Sequence, residues 1–581
     1  MERLVLKKGL FNTGETLEQY KYSEKIFIKR YLKQFLIMVL TNLTSIILLT
    51  VDGWVVSLFV GKDALNSVNL LTPLTMITGA LTLLLSTGVN IVLSKTYGVG
   101  SEEKKDKLFR AIVLLTGIFT VGIAALQIPV AYLIINSYPI SDEIKNMMSL
   151  YAVGLIISGT ISVVSTLCTY ILIASGQVKK LLKLAILEST LNLILDFLFV
   201  ACFKMGVFGA GLGTAISCAA RCVVSVILVQ KSVKIFPTKQ IECTDEMKNI
   251  LSNGVPSMVT QLMISVMGYL MNIIMTVSGN MEAVTVISVC TIGGTVISML
   301  SLSFVQAGNS IIGILIGSED WEIAKKLNEK ILLITVTVVS VLVMIVVIFP
   351  QILFRFYNIN DYTNFQSISA RLYMLAYIPF TVASNLTNMC VYCEKKKVTV
   401  ITKILEAILL IVMFITLDKI NHNLVFLCYA LRFIVSGVIL SIVLIKALNK
   451  KLSETNALNE MHFSFKGSEA IEASEKLFKY LKNNGVSGND TYRLALVCEE
   501  LGAYAEKGGN GDELYIFLAV KIFDKHIHVF YLDDGGPSVL NKKLNATNLI
   551  MGNYNLIESM ASEFTYQNVS GFNNFIMKFD R

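Results

Sequence analysis

The stretch LKLAILESTLNLILDFLFVACF at residues 182–203 decides how this sequence folds. It is long enough to cross a bilayer as one helix, which takes about 20 mainly apolar residues. It nevertheless contains Glu188, Asn192 and Asp196, and a charge at membrane depth costs about 3 kcal/mol on insertion scales. These three polar side chains must therefore face the interior of a bundle of membrane helices rather than lipid.

The whole chain has the composition of a membrane protein. Of its 581 residues, 54% are hydrophobic and only 16% are charged, whereas a soluble domain carries about 25% charged residues. We find twelve apolar stretches of spanning length between residues 34 and 446. The sequence predicts an α-helical polytopic membrane protein with twelve transmembrane helices, and it excludes one large soluble enzyme.

The charges divide the chain into a basic membrane part and an acidic C-terminal part. Residues 1–451 carry a net charge of +13, and residues 452–581 carry −5, which together give the overall +8. Within the membrane part, 30 Lys and Arg lie at one set of helix ends and 6 at the other. Because such residues accumulate on the cytoplasmic side, we predict a multi-pass plasma-membrane protein with both termini in the cytoplasm. The positive charge is thereby explained, and we predict no nucleic-acid partner.

An internal repeat relates the two halves of the membrane part at an offset of about 218 residues. Ile186-Leu-Glu188 matches Ile404-Leu-Glu406, and Gly98 matches Gly317. Each half has six predicted spans, so the two halves share one orientation, as in transporters built from parallel repeats around a central cavity. The predicted domains are a cytoplasmic segment 1–33, an N-lobe 34–235, a C-lobe 236–451 and a cytoplasmic module 452–581. Within them, residues 16–33 are predicted as an amphipathic helix at the membrane surface and residues 452–462 as a linker.

Short motifs in the membrane part resemble those of a known transporter family. They are Asp52-Gly53 followed by Gly61, the stretch 192–196, the glycine-rich stretch 206–214 and Gly254-Val-Pro256. Over about residues 20–450 the chain resembles the multidrug and toxic compound extrusion (MATE) family. The resemblance implies two six-helix lobes and cation-coupled export of organic compounds, by a secondary transporter rather than an enzyme and without a cofactor.

The polar side chains of residues 182–203 form the candidate site. Glu188, Asn192 and Asp196 are spaced by four residues, and because each such step turns a helix by only ~40° they form one slanted stripe. Carboxylate and amide oxygens can hold Na⁺, and a buried carboxylate can hold a proton instead. The family resemblance assigns cation coupling to four residues of this sequence, namely Asp52, Asn192, Asp196 and Thr214.

The same offset of 218 predicts that cation coupling is confined to the N-lobe. The positions that match Asp52, Asn192 and Asp196 are Leu270, Leu410 and Phe414. The remaining intramembrane charges are interpreted as supporting or structural charges, with Arg221 and Arg432 as the candidate partners of the two glutamates. These charges are Glu188, Arg221, Glu406 and Arg432.

The C-terminal module has the pattern of a small α+β sandwich. Two helical patterns near 468–484 and 490–507 precede a predicted hairpin at 514–532, which turns at Asp524-Lys525, and a final strand lies near 572–579. Alternating apolar and β-branched or aromatic residues are typical of such strands.

The order of these elements resembles the ATP-binding domain of the GHKL type, in its anti-sigma-factor-like branch. The resemblance depends on Glu499-Glu500 in a helix and on Asp533-Asp534-Gly535-Gly536-Pro537 after a strand. It implies that Glu500, Asp533, Asp534 and Gly536 form a candidate nucleotide site. Tyr504 stands where the family has a Mg²⁺-binding Asn, so we predict no ATP hydrolysis and a nucleotide or a protein as the ligand of the module.

Taken together, the residues favour a secondary antiporter that uses an H⁺ or Na⁺ gradient to export organic, cationic or amphipathic compounds. Two alternatives stay open, a flippase for lipid-linked substrates and a membrane-anchored signalling protein with the module as effector. An ATP-driven pump is disfavoured because the sequence contains no GxxxxGK[ST] motif.

Overall fold

The computed structural model describes residues 21–99, 101–138, 140–233, 242–277, 281–356, 362–453, 459–508, 514–535 and 557–581. Helices make up the membrane part, and most of them are long enough to cross a bilayer. They are α1 (Lys21–Phe59), α2 (Lys62–Leu70), α3 (Thr72–Val99), α4 (Glu102–Ser137), α5 (Asp142–Ala174), α6 (Val178–Asp196), α7 (Gly206–Val233), α8 (Thr244–Val277), α9 (Met281–Gly317), α10 (Trp321–Ile348), α11 (Gln351–Phe356), α12 (Asn364–Leu375), α13 (Tyr377–Tyr392), α14 (Lys396–Ile420) and α15 (Cys428–Ser453).

Every predicted span coincides with helix. Ten helices among the described residues are long and apolar enough to cross a membrane. The other two spans are α1 and the pair α12–α13, which breaks at Ala376. Pro379 explains the break, because it lacks the backbone N–H that would bond to the carbonyl of Leu375. The prediction of an α-helical membrane protein with a C-terminal α+β module is confirmed.

The two lobes meet along α3, which packs against α8 and α9 of the C-lobe. At the middle of this seam, Gly254 of α8 lies so close to α3 that a Cβ atom there would stand 1.6 Å from the carbonyl oxygen of Leu84. Nearer the end of α3, the side chain of Asn309 donates to Asn90 across the lobes at 3.3 Å. The lobes are therefore held together at the end of the membrane part where α3 finishes.

The module is a five-stranded antiparallel sheet with two helices on one face. The sheet has the order β1-β2-β3-β5-β4, and the predicted hairpin and final strand are its central strands. The predicted linker at 452–462 is shorter than expected, because β1 already begins at Asn459. The elements are β1 (Asn459–Lys466), α16 (Ala470–Asn483), α17 (Gly488–Gly508), β2 (Tyr515–Ile522), β3 (His526–Asp533), β4 (Glu563–Val569) and β5 (Phe572–Asp580).

The two faces of the sheet bury their side chains against different partners. Along β2, Ile516 and Leu518 pack with α16 and α17, while the alternate residue Phe517 joins the core of the membrane part. Alternation along a strand sends successive side chains to opposite faces. The Phe27 ring of α1 lies edge-on to Phe517 at 5.5 Å and to Phe572 at 5.7 Å.

The beginning of α1 differs from its prediction as a separate amphipathic helix at the membrane surface. Residues 21–33 continue directly into the first span as one helix. Ile26, Phe27 and Tyr31 are fully buried, and Phe27 lies against the sheet. The apolar face that the sequence shows is therefore covered by protein, because the module supplies the surface that lipid was expected to supply.

Polar contacts fasten the module to the loops of both lobes. From the C-lobe, the buried Asp320 accepts from Lys521 Nζ at 2.9 Å and lies 3.1 Å from His462 Nε2. Burial alone would raise the pKa of Asp320, but the Lys521 ammonium and His462 outweigh it and hold that pKa well below its usual range. The carboxylate is therefore ionised and paired at neutral pH.

The N-lobe contributes backbone groups and an arginine to the same interface. The Ser570 amide donates to the Ser175 carbonyl at 3.0 Å, and the Ser570 carbonyl accepts from Arg30 Nε at 2.6 Å. The Asn574 side chain donates to the Tyr97 carbonyl at 3.4 Å. The module thus lies across the seam between the lobes, and we call the end of the membrane part that it covers the module side.

Candidate functional site

The candidate site lies between α6 and α7 in the N-lobe. Asn192 and Asp196 are fully buried on α6, as the stripe predicted from the sequence requires. Directly after Asp196 the helix widens into a π-helical segment, Phe197–Cys202. Such single-turn π segments are frequent at functional sites, and the hydropathy of the sequence gives no sign of this one.

Asp196 and Asn192 both reach toward α7. The Asp196 Oδ1 lies where α7 has Gly213, and a Cβ atom at that position would stand 2.5 Å from this oxygen. Only glycine lets the two helices approach in this way. The Asn192 Nδ2 donates to Thr214 Oγ1 at 3.4 Å, while the Thr214 hydroxyl donates to the Ala210 carbonyl at 3.0 Å. The structure thus brings together three of the four predicted residues.

One oxygen of this group has no partner among the described residues. The Asn192 Oδ1 is buried and accepts no hydrogen bond from the described residues. Leaving a buried acceptor unsatisfied costs about 1–3 kcal/mol, which a bound cation or water would recover. The fourth predicted residue, Asp52, belongs to α1, but its side chain lies outside the described residues.

Glu188 and Arg221 form an ion pair within the N-lobe. The Arg221 Nη1 donates to Glu188 Oε2, and its Nη2 donates to Thr169 Oγ1 at 3.0 Å. Both side chains are largely buried, at 20% and 13% exposure. This pair ties α6 to α7 and α5 beside the candidate site, and it leaves Asp196 outside the ion pair.

The equivalent glutamate of the C-lobe has a different partner from the one expected. Glu406 accepts from Lys403 Nζ at 2.8 Å, one helical turn earlier on α14, and it does not pair with Arg432. Both members of this pair are buried, at 7% and 4% exposure. The sequence analysis missed Lys403 because it lies close to the end of its span, where a lysine usually reaches water.

The candidate nucleotide residues of the module lie on one of its helices and at the end of one strand of its sheet. Glu500 lies on α17, and Asp533 and Asp534 lie at the end of β3, while Gly536 lies outside the described residues. Asp534 Oδ1 accepts from the Tyr515 amide at 3.0 Å, which gives it a part in holding the sheet.

Asp533 is the most deeply buried acid of this group. Its Oδ1 accepts from the Gly535 amide at 2.9 Å and from Asn573 at 2.8 Å, whereas its Oδ2 is buried without a partner among the described residues. Burial raises the pKa of Asp533 to about 6, and the hydrogen bonds from Asn573 and Gly535 offset only part of that rise.

Comparisons with known proteins agree with this architecture. Residues 38–198 match the family model MatE. A search of curated protein sequences finds no match. Solved structures match over most of their own length. A MOP superfamily transporter from Pyrococcus furiosus, described as having a binding pocket of reverse polarity, has 18% identity and a TM-score of 0.64, covering 73% of this chain and 96% of that one.

Two further structures have similar scores. The Vibrio cholerae MATE transporter VcmN in its bent form has 15% identity and a TM-score of 0.68, covering 74% of this chain and 99% of that chain. A multidrug resistance MATE family transporter in an outward-facing conformation has 18% identity and a TM-score of 0.65, covering 74% and 97%. At such identities the likeness establishes the fold. Residues 38–198 of the chain therefore match the MatE family model, and its membrane part has the fold of solved MATE transporters.

Proposed function

We propose that this protein is a cation-coupled secondary antiporter that exports small organic compounds, with Asp196, Asn192 and Thr214 as its coupling site and Asp52 as the fourth member. The observation that supports it is the buried Asp196 beside Asn192, whose Oδ1 has no partner among the described residues. A carboxylate at membrane depth is costly and is useful where it binds and releases a cation.

The C-lobe supports the same assignment by contrast. Leu410 and Phe414 occupy the positions that match Asn192 and Asp196, and both are buried in an apolar cluster. A membrane anchor for a signalling module would need no polar stripe in either lobe. The asymmetry favours coupled transport, with either H⁺ or Na⁺ as the driving cation.

Transport in proteoliposomes tests the proposal. Export of a fluorescent organic compound is measured under a separate H⁺ or Na⁺ gradient for the full chain, for Asp196→Asn and for Phe414→Leu as the matched C-lobe control. We expect Asp196→Asn to lower gradient-driven export at least about a hundredfold and Phe414→Leu to retain it. Export by Asp196→Asn at the level of the unmodified chain would refute the proposal.

We further propose that the module is a regulatory domain that holds the two lobes together on the module side, which the charge bias assigns to the cytoplasm. Asp320 of the C-lobe is fastened to Lys521, and Ser175 of the N-lobe is fastened to Ser570. Alternating access requires the two lobes to move against each other. The docked module therefore opposes separation of the lobes on its own side, and its release would permit it.

Amide hydrogen exchange of the full chain tests this role. Asp320→Asn removes the charge that Lys521 pairs with, so we expect faster exchange at β2 and at the module-side ends of α3 and α9. Lys525→Gln, a change at an exposed hairpin turn, is the matched control and should leave the exchange unaltered. Restored protection in the exchanged pair Asp320→Lys with Lys521→Asp would support the contact, and unaltered exchange in Asp320→Asn would exclude it.

A further inference from the structure

A cavity lies inside the C-lobe, away from the module side. Its volume is about 410 Å³, which is within the range of small-molecule sites. Helices α8, α9, α13, α14 and α15 line it, and Met76 near the opposite end of α3 closes it on the N-lobe side. The cavity is thus bounded by both lobes, where a transported compound would have to pass.

Among the described residues, three charged side chains line this cavity, and two of them are cations. Lys403 and Glu406 neutralise each other at 2.8 Å. Arg432 is 8% exposed, and no carboxylate of the described residues lies within ion-pair distance of it. Its Nη1 donates to the sulfur of Met267 at 2.8 Å, a weak acceptor, and its Nε has no hydrogen-bond partner among the described residues.

The rings around Arg432 hold it in place without neutralising it. Its guanidinium lies 4.3 Å from the centre of the Phe433 ring and 5.1 Å from that of Tyr429. Cation–π contacts of this kind contribute about 0.5–2 kcal/mol, whereas a buried charge normally needs a paired anion. The cavity therefore contains a positioned guanidinium with donors to spare and an excess of one positive charge.

The remaining lining of the cavity is aromatic and apolar. Tyr377 and Phe380 of α13 stack edge to face at 5.8 Å and form one wall with Leu410 of α14. Such walls take up an apolar body, and a few positioned polar groups fix its orientation.

We propose that this cavity binds an organic anion with an apolar body, whose carboxylate, sulfonate or phosphate oxygens accept hydrogen bonds from Arg432. A planar guanidinium matches such groups with paired N–H donors. Where the anion is taken to be the exported compound, this inference rests on the proposed function. The exported compound then carries a negative charge instead of the positive charge suggested by the sequence. As a statement about binding the inference stands independently of transport.

Equilibrium binding to the purified full chain, without any gradient, tests the anion site. The probes are 2-naphthalenesulfonate and 2-naphthyltrimethylammonium, which share one aromatic body and differ in charge. We expect the sulfonate to bind more tightly than the ammonium compound. Arg432→Gln should weaken sulfonate binding about tenfold to a hundredfold, since hydrogen bonds to charged groups contribute about 1.5–3 kcal/mol.

Two further variants separate this site from a general effect of charge or folding. Arg432→Lys keeps the charge and should retain part of the sulfonate affinity. Arg371→Gln removes an exposed arginine of α12 and should retain all of it. Equal sulfonate binding by Arg432→Gln and the unmodified chain would overturn the proposal, and so would tighter binding of the ammonium probe by the unmodified chain.

Mass spectrometry of compounds that co-purify with the protein distinguishes two sources of the anion. An anionic phospholipid that is lost in Arg432→Gln indicates a lipid ligand, and its absence together with sulfonate binding indicates a soluble anion. Both results support the site. The binding assay needs no transport. The prediction that Asp196→Asn loses gradient-driven export and the prediction that Arg432→Gln loses anion binding are therefore tested separately.

Discussion

The N-lobe and the C-lobe have the same helix order but bury opposite charges. Around Asp196 the N-lobe has an acid and a carboxamide whose Oδ1 has no partner among the described residues, whereas the C-lobe has an arginine without a carboxylate among its described neighbours. The comparison suggests that a duplicated scaffold has divided two tasks, with cation binding in one lobe and anion binding in the other. Both lobes keep a largely buried ion pair at the matching glutamate, Glu188–Arg221 between α6 and α7 and Lys403–Glu406 within α14.

The largest expected effect comes from giving the N-lobe the chemistry of the C-lobe. Asn192→Leu places the residue found at position 410 into the coupling site. It removes the buried Oδ1 and keeps the branching and the number of heavy atoms of the side chain, so we expect gradient-driven export to fall at least about a hundredfold while the protein stays folded. Phe414→Leu, at a buried C-lobe position that is not among the described residues lining the cavity, is the control in proteoliposome assays. Full export by Asn192→Leu would show that the amide oxygen has no part in coupling.

The seam between the lobes offers the second change. In Gly254→Ala the new methyl group would meet the Leu84 carbonyl of α3 at 1.6 Å, so α8 has to move away from α3. We expect export to fall about tenfold, since overpacking costs about 1–3 kcal/mol. Gly79→Ala, on α3 with nothing within 4 Å, is the matched control. Equal export by the two variants would mean that close packing of the lobes is dispensable.

Breaking the ion pairs compares the stability of the two lobes. Glu188→Gln leaves Arg221 without its carboxylate partner, and Glu406→Gln does the same to the more deeply buried Lys403. Removing one member of a buried pair costs up to about 3–5 kcal/mol, so both variants should unfold at lower temperature, Glu406→Gln more so. The double change of Glu188→Gln with Arg221→Met should recover most of the loss. The measurement is the thermal unfolding midpoint in detergent, and unchanged midpoints would contradict a structural role for the pairs.

The smallest effect concerns the module and its dependence on pH. Asp533 has a folded pKa of about 6 against an ordinary value of 3.8, so the folded module holds this proton more tightly than the unfolded chain. Its stability should therefore fall as pH rises from about 4 to about 6 and then level off, by roughly 3 kcal/mol at most. Asp533→Asn should remove this pH dependence. The measurement is the stability of the module in urea at each pH, with unfolding monitored by hydrogen exchange. If the stability of Asp533→Asn depends on pH in the same way as that of the unmodified chain, this role of Asp533 is disproved.

Much of the fold could be predicted from sequence because lipid imposes simple rules. Each span must be apolar and helical, so the twelve helices were evident, and a spacing of four residues placed Glu188, Asn192 and Asp196 on one face. The alternating apolar pattern at 514–532 likewise predicted the hairpin that forms β2 and β3.

What could not be predicted depends on contacts between distant parts of the chain. Lys521 meets Asp320 some 200 residues away, and Arg30 meets Ser570 across 540 residues. No local pattern encodes such pairs. The same limit applies to Arg432, because the absence of a carboxylate beside it among the described residues depends on how α8, α13 and α14 pack together and not on its own helix.

The proposed cation site at Asp196 is best tested by measuring cation binding to the purified chain. Bound Na⁺, and proton uptake after a pH step, are measured per chain for the unmodified protein, Asp196→Asn and Phe414→Leu, the matched change in the C-lobe. We predict that Asp196→Asn loses one cation site and that Phe414→Leu loses none. Unaltered cation binding in Asp196→Asn would contradict this prediction.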